Sequence, residues 1–123
     1  MNKIFMLFGT IFGALSVAVG AFAAHGLKDF LEQSQRTHTF ETAVKYQFYH
    51  TLALIMLAIV FDKLHIRWAT WSGCGFISGI IIFSGSLYIL CFTGARWWGA
   101  VTPIGGLLLI AAWALWAWAL INS

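Results

Sequence analysis

Charge is scarce in this chain. Of 123 residues, four are Asp or Glu and seven are Lys or Arg, too few to give a soluble fold of this size a polar surface. The seven basic residues form no run, so the net charge of +3 does not point to nucleic acid as a partner. Scattered among the connections, they are expected to meet lipid headgroups. No charged residue falls near the middle of any apolar stretch, which argues against ion conduction through one subunit. Cysteine is also sparse. Cys74 and Cys91 stand on one expected helix about 25 Å apart along its axis, too far for a bridge between them. Both read as packing residues in an apolar span.

Apolar sequence fills the space that charge leaves. Hydrophobic residues make up 61% of the chain, mean hydropathy is +0.86, and four stretches stand out at about residues 4–24, 44–62, 69–92 and 103–121. At about 1.5 Å rise per residue, each matches a hydrocarbon core of about 30 Å. The expected fold class is all-α, an integral membrane four-helix transmembrane bundle forming a single domain over residues 1–123. Ala21-Phe22-Ala23 imitates a signal-peptide cleavage site. The run before it exceeds the usual signal core, so the first stretch is expected to stay as a membrane helix.

With four spans, Lys3, Lys63 and Arg67 share one side of the membrane, and Lys28, Arg36, Lys45 and Arg96 the other. Lys3 flanks the first span, whereas the opposite basic residues are interleaved with Asp29, Glu32 and Glu41. The expectation is a multi-pass protein of the cell (inner) membrane with both termini cytoplasmic. Trp68, Trp71, Trp116 and Trp118 mark the interface on the termini side, and Trp97 and Trp98 the other. Trp113 lies deeper and reads as packing.

The longest connection, His25 to about Ala43, carries Leu27, Phe30 and Leu31 at helical spacing. That pattern predicts a short amphipathic interfacial helix between the first and second spans. Thr39 is expected to cap the second span, with Glu41 and Lys45 as an i,i+4 pair. Thr102-Pro103 is expected to open the fourth span as cap and first helical residue. Gly9, Gly13, Ser16 and Gly20 smooth one face of the first span, and Gly75 and Gly79 repeat the device in the third. Such faces let backbones approach closely where lipid removes the hydrophobic drive between helices. A shift of 66 residues superposes Gly9 on Gly75 and Gly13 on Gly79, hinting at two parallel hairpins. The small faces offer more interface than one subunit needs, so a homo-oligomer is expected.

Polar side chains within or beside hydrocarbon are costly and become the candidates for function. They are His25, Tyr46, Gln47, Tyr49, His50, Ser84, Ser86 and Tyr88, expected to converge on a pocket near one interface. Four segments among them stand in order: Gly20-Ala21-Phe22-Ala23-Ala24-His25-Gly26-Leu27, Tyr46-Gln47-Phe48-Tyr49-His50, Phe83-Ser84-Gly85-Ser86-Leu87-Tyr88 and Thr102-Pro103-Ile104-Gly105-Gly106. In these motifs the chain resembles the domain-of-unknown-function 423 family of small bacterial membrane proteins, over essentially its whole length. Ala23 is a departure, since that family usually has glycine there. The resemblance implies a four-helix inner-membrane protein and brings no assigned activity with it.

The residues support several chemistries unequally. His25 and His50 could ligate a metal or haem from adjacent helices, but no Cys, Asp or Glu is spaced to complete a set. A quinone could bond His50 or Tyr46, although the tyrosines also read as interfacial anchors. Ser84 or Ser86 with His50 and Glu41 would be the nearest hydrolytic ensemble. Phe-Ser-Gly-Ser-Leu is no nucleophile elbow, however, and close packing explains it better. No metal or cofactor is therefore assigned. The expectation is a non-enzymatic binding or accessory component in the lipid bilayer, with a small amphipathic ligand or lipid as partner. A transporter or channel built by an oligomer is the alternative.

Overall fold

The computed structural model describes all residues from Met1 to Ser123. The chain forms α1 (Lys3–Ala24), α2 (Lys28–Gln33), α3 (Thr37–Val60), a 3-10 turn at Phe61–Lys63, α4 (Ile66–Thr93) and α5 (Trp98–Ile121). α1, α3 with its 3-10 extension, α4 and α5 are the four helices long and apolar enough to cross a membrane. The fold class is all-α, as expected.

Local chemistry sets the ends. The Asn2 side chain accepts the Phe5 N–H at 3.0 Å and caps α1, while the Asn2 N–H bonds the Ala58 carbonyl at 2.9 Å and ties that end to α3. Leu64 turns extended after the 3-10 segment, and the His65 N–H reaches the Ala119 carbonyl at 3.3 Å, joining the last turn of α5. Gly94 closes α4 in the left-handed region at φ 70°, its N–H bonding the Leu90 carbonyl; glycine enters that region without steric cost.

Two boundaries differ from expectation. α3 begins at Thr37, with no side-chain cap, so Thr39 lies inside the helix. α5 begins at Trp98 and carries Pro103 within it. In both places the helix begins several residues before the apolar stretch. The connection shrinks to a turn at Gly94, Ala95, Arg96 and Trp97, and Thr102, instead of capping, bonds back to the Trp98 carbonyl at 3.3 Å.

The spans pack in the order α1 on α3, α3 on α4 and α4 on α5. The central pair carries the core: Leu54, Leu57 and Phe76 are fully buried, with Phe5 and Leu109 closing over them. A smaller core of Leu31, Phe40 and Cys91 docks α2 onto the far end, so the short interfacial helix is anchored by Leu31 while Phe30 stays exposed.

The small-residue faces are consumed inside the chain. A Cβ on Gly9 would lie 2.5 Å from Ile55 Cγ1, and one on Gly13 or Gly20 would lie 3.6 Å from Thr51 Cγ2 or Val44 Cγ1. Gly75 and Gly79 do the same for α4 against Ala112 and Leu109 of α5. Contacts within one chain therefore occupy these faces. Sequence reading passed over two closer approaches: at Gly73, where a Cβ would overlap the Phe5 ring, and at Gly105, where it would run into the Phe83 backbone.

Candidate functional site

Residue pairing across α1 and α3 fixes depth. Gly20 faces Val44, Gly13 faces Thr51 and Gly9 faces Ile55, so His50 lies level with the middle of α1. His25 caps the far end of that helix. The two imidazoles are thus separated by roughly 16 Å along the axis. The expected interfacial cluster containing both is corrected: His25 sits exposed at the helix end, and His50 lies near mid-membrane. No group of three or more His, Cys, Asp or Glu side chains converges anywhere, which leaves a metal held from both histidines without a basis.

The remaining polar groups bond to one another across helices. Gln47 Nε2 donates to the Phe12 carbonyl of α1 at 3.1 Å, and its Oε1 accepts the Tyr88 hydroxyl of α4 at 2.6 Å. One buried amide therefore ties three helices together. Ser84 donates to the Ala43 carbonyl at 2.7 Å, Ser72 to the Ala112 carbonyl at 2.7 Å, and Ser86 pairs with Thr102 at 2.6 Å. Ser16 bonds back to the Phe12 carbonyl of its own helix at 2.8 Å. Gln47, Ser84, Ser86 and Tyr88 thus work as interhelical fasteners, each bond worth about 0.6 kcal/mol on average and up to about 1.7. Neither serine hydroxyl is paired with His50.

His50 stands apart from this network. Its Nδ1 lies 2.8 Å from the Tyr46 carbonyl one turn earlier. A carbonyl oxygen only accepts, so Nδ1 carries a hydrogen, and in an imidazole with one hydrogen Nε2 then presents a lone pair. Aromatic rings surround it: Tyr46 stacked at 6.0 Å, Trp113 edge-on at 5.9 Å and Phe76 at 6.1 Å between centroids. Tyr46 and Trp113 are 42% and 45% exposed, against 8% for His50, so the imidazole is the floor between two lipid-facing rings. Tyr49 points outward and is exposed. Trp113, read earlier as packing alone, is the partner that sequence missed. Its distance from His50 in the chain gives no periodic signal.

Charged side chains stand at both ends of the spans, with Glu41 and Lys45 at the end nearer His25. Glu41 and Lys45, expected as a pair, form no ion pair; the one ion pair within 4 Å joins the Met1 amine to Asp62.

Comparison with known proteins decides the family. The model described as "Protein of unknown function (DUF423)" matches residues 19–106, which contain all four motifs quoted above. This chain belongs to the DUF423 family. A UPF0382 membrane protein of Staphylococcus haemolyticus is 43% identical over 113 residues, covering 92% of this chain and 91% of the relative. The UPF0382 membrane protein YwdK of Bacillus subtilis is 40% identical over 114 residues, 92% of each chain. The UPF0382 inner membrane protein YgdD of Escherichia coli K12 is 37% identical over 114 residues, 93% of this chain and 86% of the relative. No solved structure matches. Like the relatives so described, this DUF423 chain is a multi-pass membrane protein. Its departure at Ala23 is conformationally harmless, because the residue sits in α1 and Gln35 is the only non-glycine residue with positive φ.

Proposed function

We propose that the protein is a non-enzymatic binding component of the membrane, and that it holds a small amphipathic molecule on its lipid-facing surface at His50. The observation that carries this reading is the His50 ring, pinned through Nδ1 by the Tyr46 carbonyl with Nε2 left as an acceptor between two exposed aromatic rings. In hydrocarbon an acceptor of this kind needs a donor. A hydroxyl-headed molecule with a flat ring, such as a quinol, supplies the O–H, while Tyr46 and Trp113 flank its ring. An oxidised quinone offers only carbonyl acceptors and fits the neutral imidazole less well. The interior favours a binding component over a carrier, since Gln47, Ser72, Ser84 and Ser86 have their polar atoms matched within the chain.

The test is native mass spectrometry on protein extracted gently with its lipids, followed by titration with a short-chain ubiquinol and with its oxidised form. Ubiquinol should be retained more strongly than the quinone, and His50→Ala should lose it while keeping its thermal transition within a few degrees. Equal retention of both forms, or retention unchanged in His50→Ala, would overturn the assignment. Ion flux through vesicles containing the protein would instead favour an oligomeric pore.

A further inference from the structure

Two neighbouring hollows lie along the outer side of the α1–α3 pair, and His50 lines neither. The upper one has a volume of about 290 Å³ and lies between Gly20, Ala23 and Ala24 of α1 and Thr37, Glu41 and Lys45 of α3. A second hollow of about 270 Å³ shares Val44 and Lys45 with it and continues deeper past Val17, Phe48 and Tyr49. In the upper hollow α1 contributes only Gly20, Ala23 and Ala24, no side chain larger than a methyl, which leaves the space open.

We propose that this groove binds one phospholipid bearing a primary amine in its headgroup, of the phosphatidylethanolamine type. Thr37, Glu41 and Lys45 follow one another at i,i+4 spacing and so form a ladder along one edge of α3, with Thr37 outermost. Successive rungs are about 6 Å apart. An aminophospholipid presents its groups in the matching order from water inward: ammonium, phosphate, then acyl chains. Glu41 meets the ammonium, Lys45 the phosphate one rung deeper, and Val17 and Phe48 line the path of a chain below.

Three features point to an outside ligand at this ladder. Glu41 and Lys45 are not paired with each other or with any other residue, so both charges are free. Thr37 lines the hollow and its Oγ1 has no hydrogen-bond partner, so the hydroxyl is free to pair with a headgroup once the side chain turns toward the groove. The pairing of one acid with one base, in that order, also selects among headgroups. A purely anionic head would match Lys45 but leave Glu41 facing negative charge. A quaternary choline would bring the right charges yet no N–H to donate to Glu41 or Thr37.

The experiment is competition. The purified full chain in mild detergent is offered an equimolar mixture of phosphatidylethanolamine, phosphatidylglycerol and phosphatidylcholine with identical acyl chains, and the retained adduct is read by native mass spectrometry. One phosphatidylethanolamine should be kept per chain, preferred over each competitor by on the order of tenfold or more, the worth of one hydrogen bond to a charged group. Glu41→Gln, at an exposed position and so without consequence for folding, should shift the preference toward phosphatidylglycerol. Lys45→Gln should weaken retention of all three, and His50→Ala should leave the preference untouched, which separates this site from the one at His50. Equal retention of the three lipids by the unaltered chain, or a Glu41→Gln variant with unchanged preference, would overturn the proposal.

Discussion

Gly105→Ala offers the sharpest test of how the bundle is held together. The added Cβ would lie 2.7 Å from Phe83 Cα and 2.8 Å from Phe83 Cβ, where carbon atoms rest at about 3.5–4.0 Å. The obstacle is backbone and no rotamer change relieves it, so α5 must move about 1 Å away from α4 near that point. A gap of that size forfeits roughly a quarter to a half of each dispersion contact it opens. It also stretches the Ser86–Thr102 hydrogen bond, now 2.6 Å. Overpacking of this kind costs about 1–3 kcal/mol, and weakening the hydrogen bond adds about 0.6. Against this stands the better helix propensity of alanine, worth up to about 1 kcal/mol, so a net loss of about 1–3 kcal/mol is expected. The control is Gly85→Ala one helix away, where a Cβ meets nothing within 4 Å and only the propensity gain applies. Thermal or denaturant unfolding in one detergent, followed by helical circular dichroism, compares the two. A Gly105→Ala protein as stable as Gly85→Ala would refute the close α4–α5 approach and the reasoning built on it.

Further expectations concern the other contacts. Gln47→Leu should cost about 1–2 kcal/mol, because it removes the bonds to Phe12 and Tyr88 together. In that background Tyr88→Phe should be neutral or stabilising, since it removes a hydroxyl already orphaned, and strict additivity in a double-mutant cycle would count against the three-helix tie. Gly13→Ala should be tolerated, its Cβ resting at an ordinary 3.6 Å from Thr51, whereas Gly13→Leu should lower the unfolding temperature clearly. A Gly13→Leu protein matching the parent would displace Gly13 from the α1–α3 interface. We propose that both termini face the cytoplasm. In a Cys74→Ser, Cys91→Ala background, a cysteine at Ser123 should then resist an impermeant thiol reagent applied to intact cells, and one at Ala95 should react; the reverse pattern would invert the orientation.

Much of the candidate site was legible as a set of residues and illegible as an arrangement. Gln47, Ser84, Ser86 and Tyr88 stood out because polar groups in apolar helices are costly. Nothing in their spacing showed that they would satisfy one another across helices, because interhelical partners depend on rotation and register. His25 and His50 looked like neighbours while the second span was taken to begin at residue 44. The helix begins at Thr37 and its pairing with α1 puts His50 at mid-depth. Hydropathy marks where a stretch becomes apolar, and a helix continues past that point as long as its backbone bonds continue. For the same reason Pro103 was read as a start and lies inside α5.

Composition and run length alone determined that this chain crosses a membrane four times as helices, because a backbone in lipid must satisfy its own hydrogen bonds and about twenty apolar residues are needed to do so across a bilayer. The motifs alone determined the family. The tertiary structure alone decided which helices pair, that the glycine faces are used within one chain, that Trp113 rather than His25 stands beside His50, and that Glu41 and Lys45 open onto a groove instead of onto each other. Those outcomes turn on helix rotation and register, which are set by the fit of side chains from distant parts of the chain.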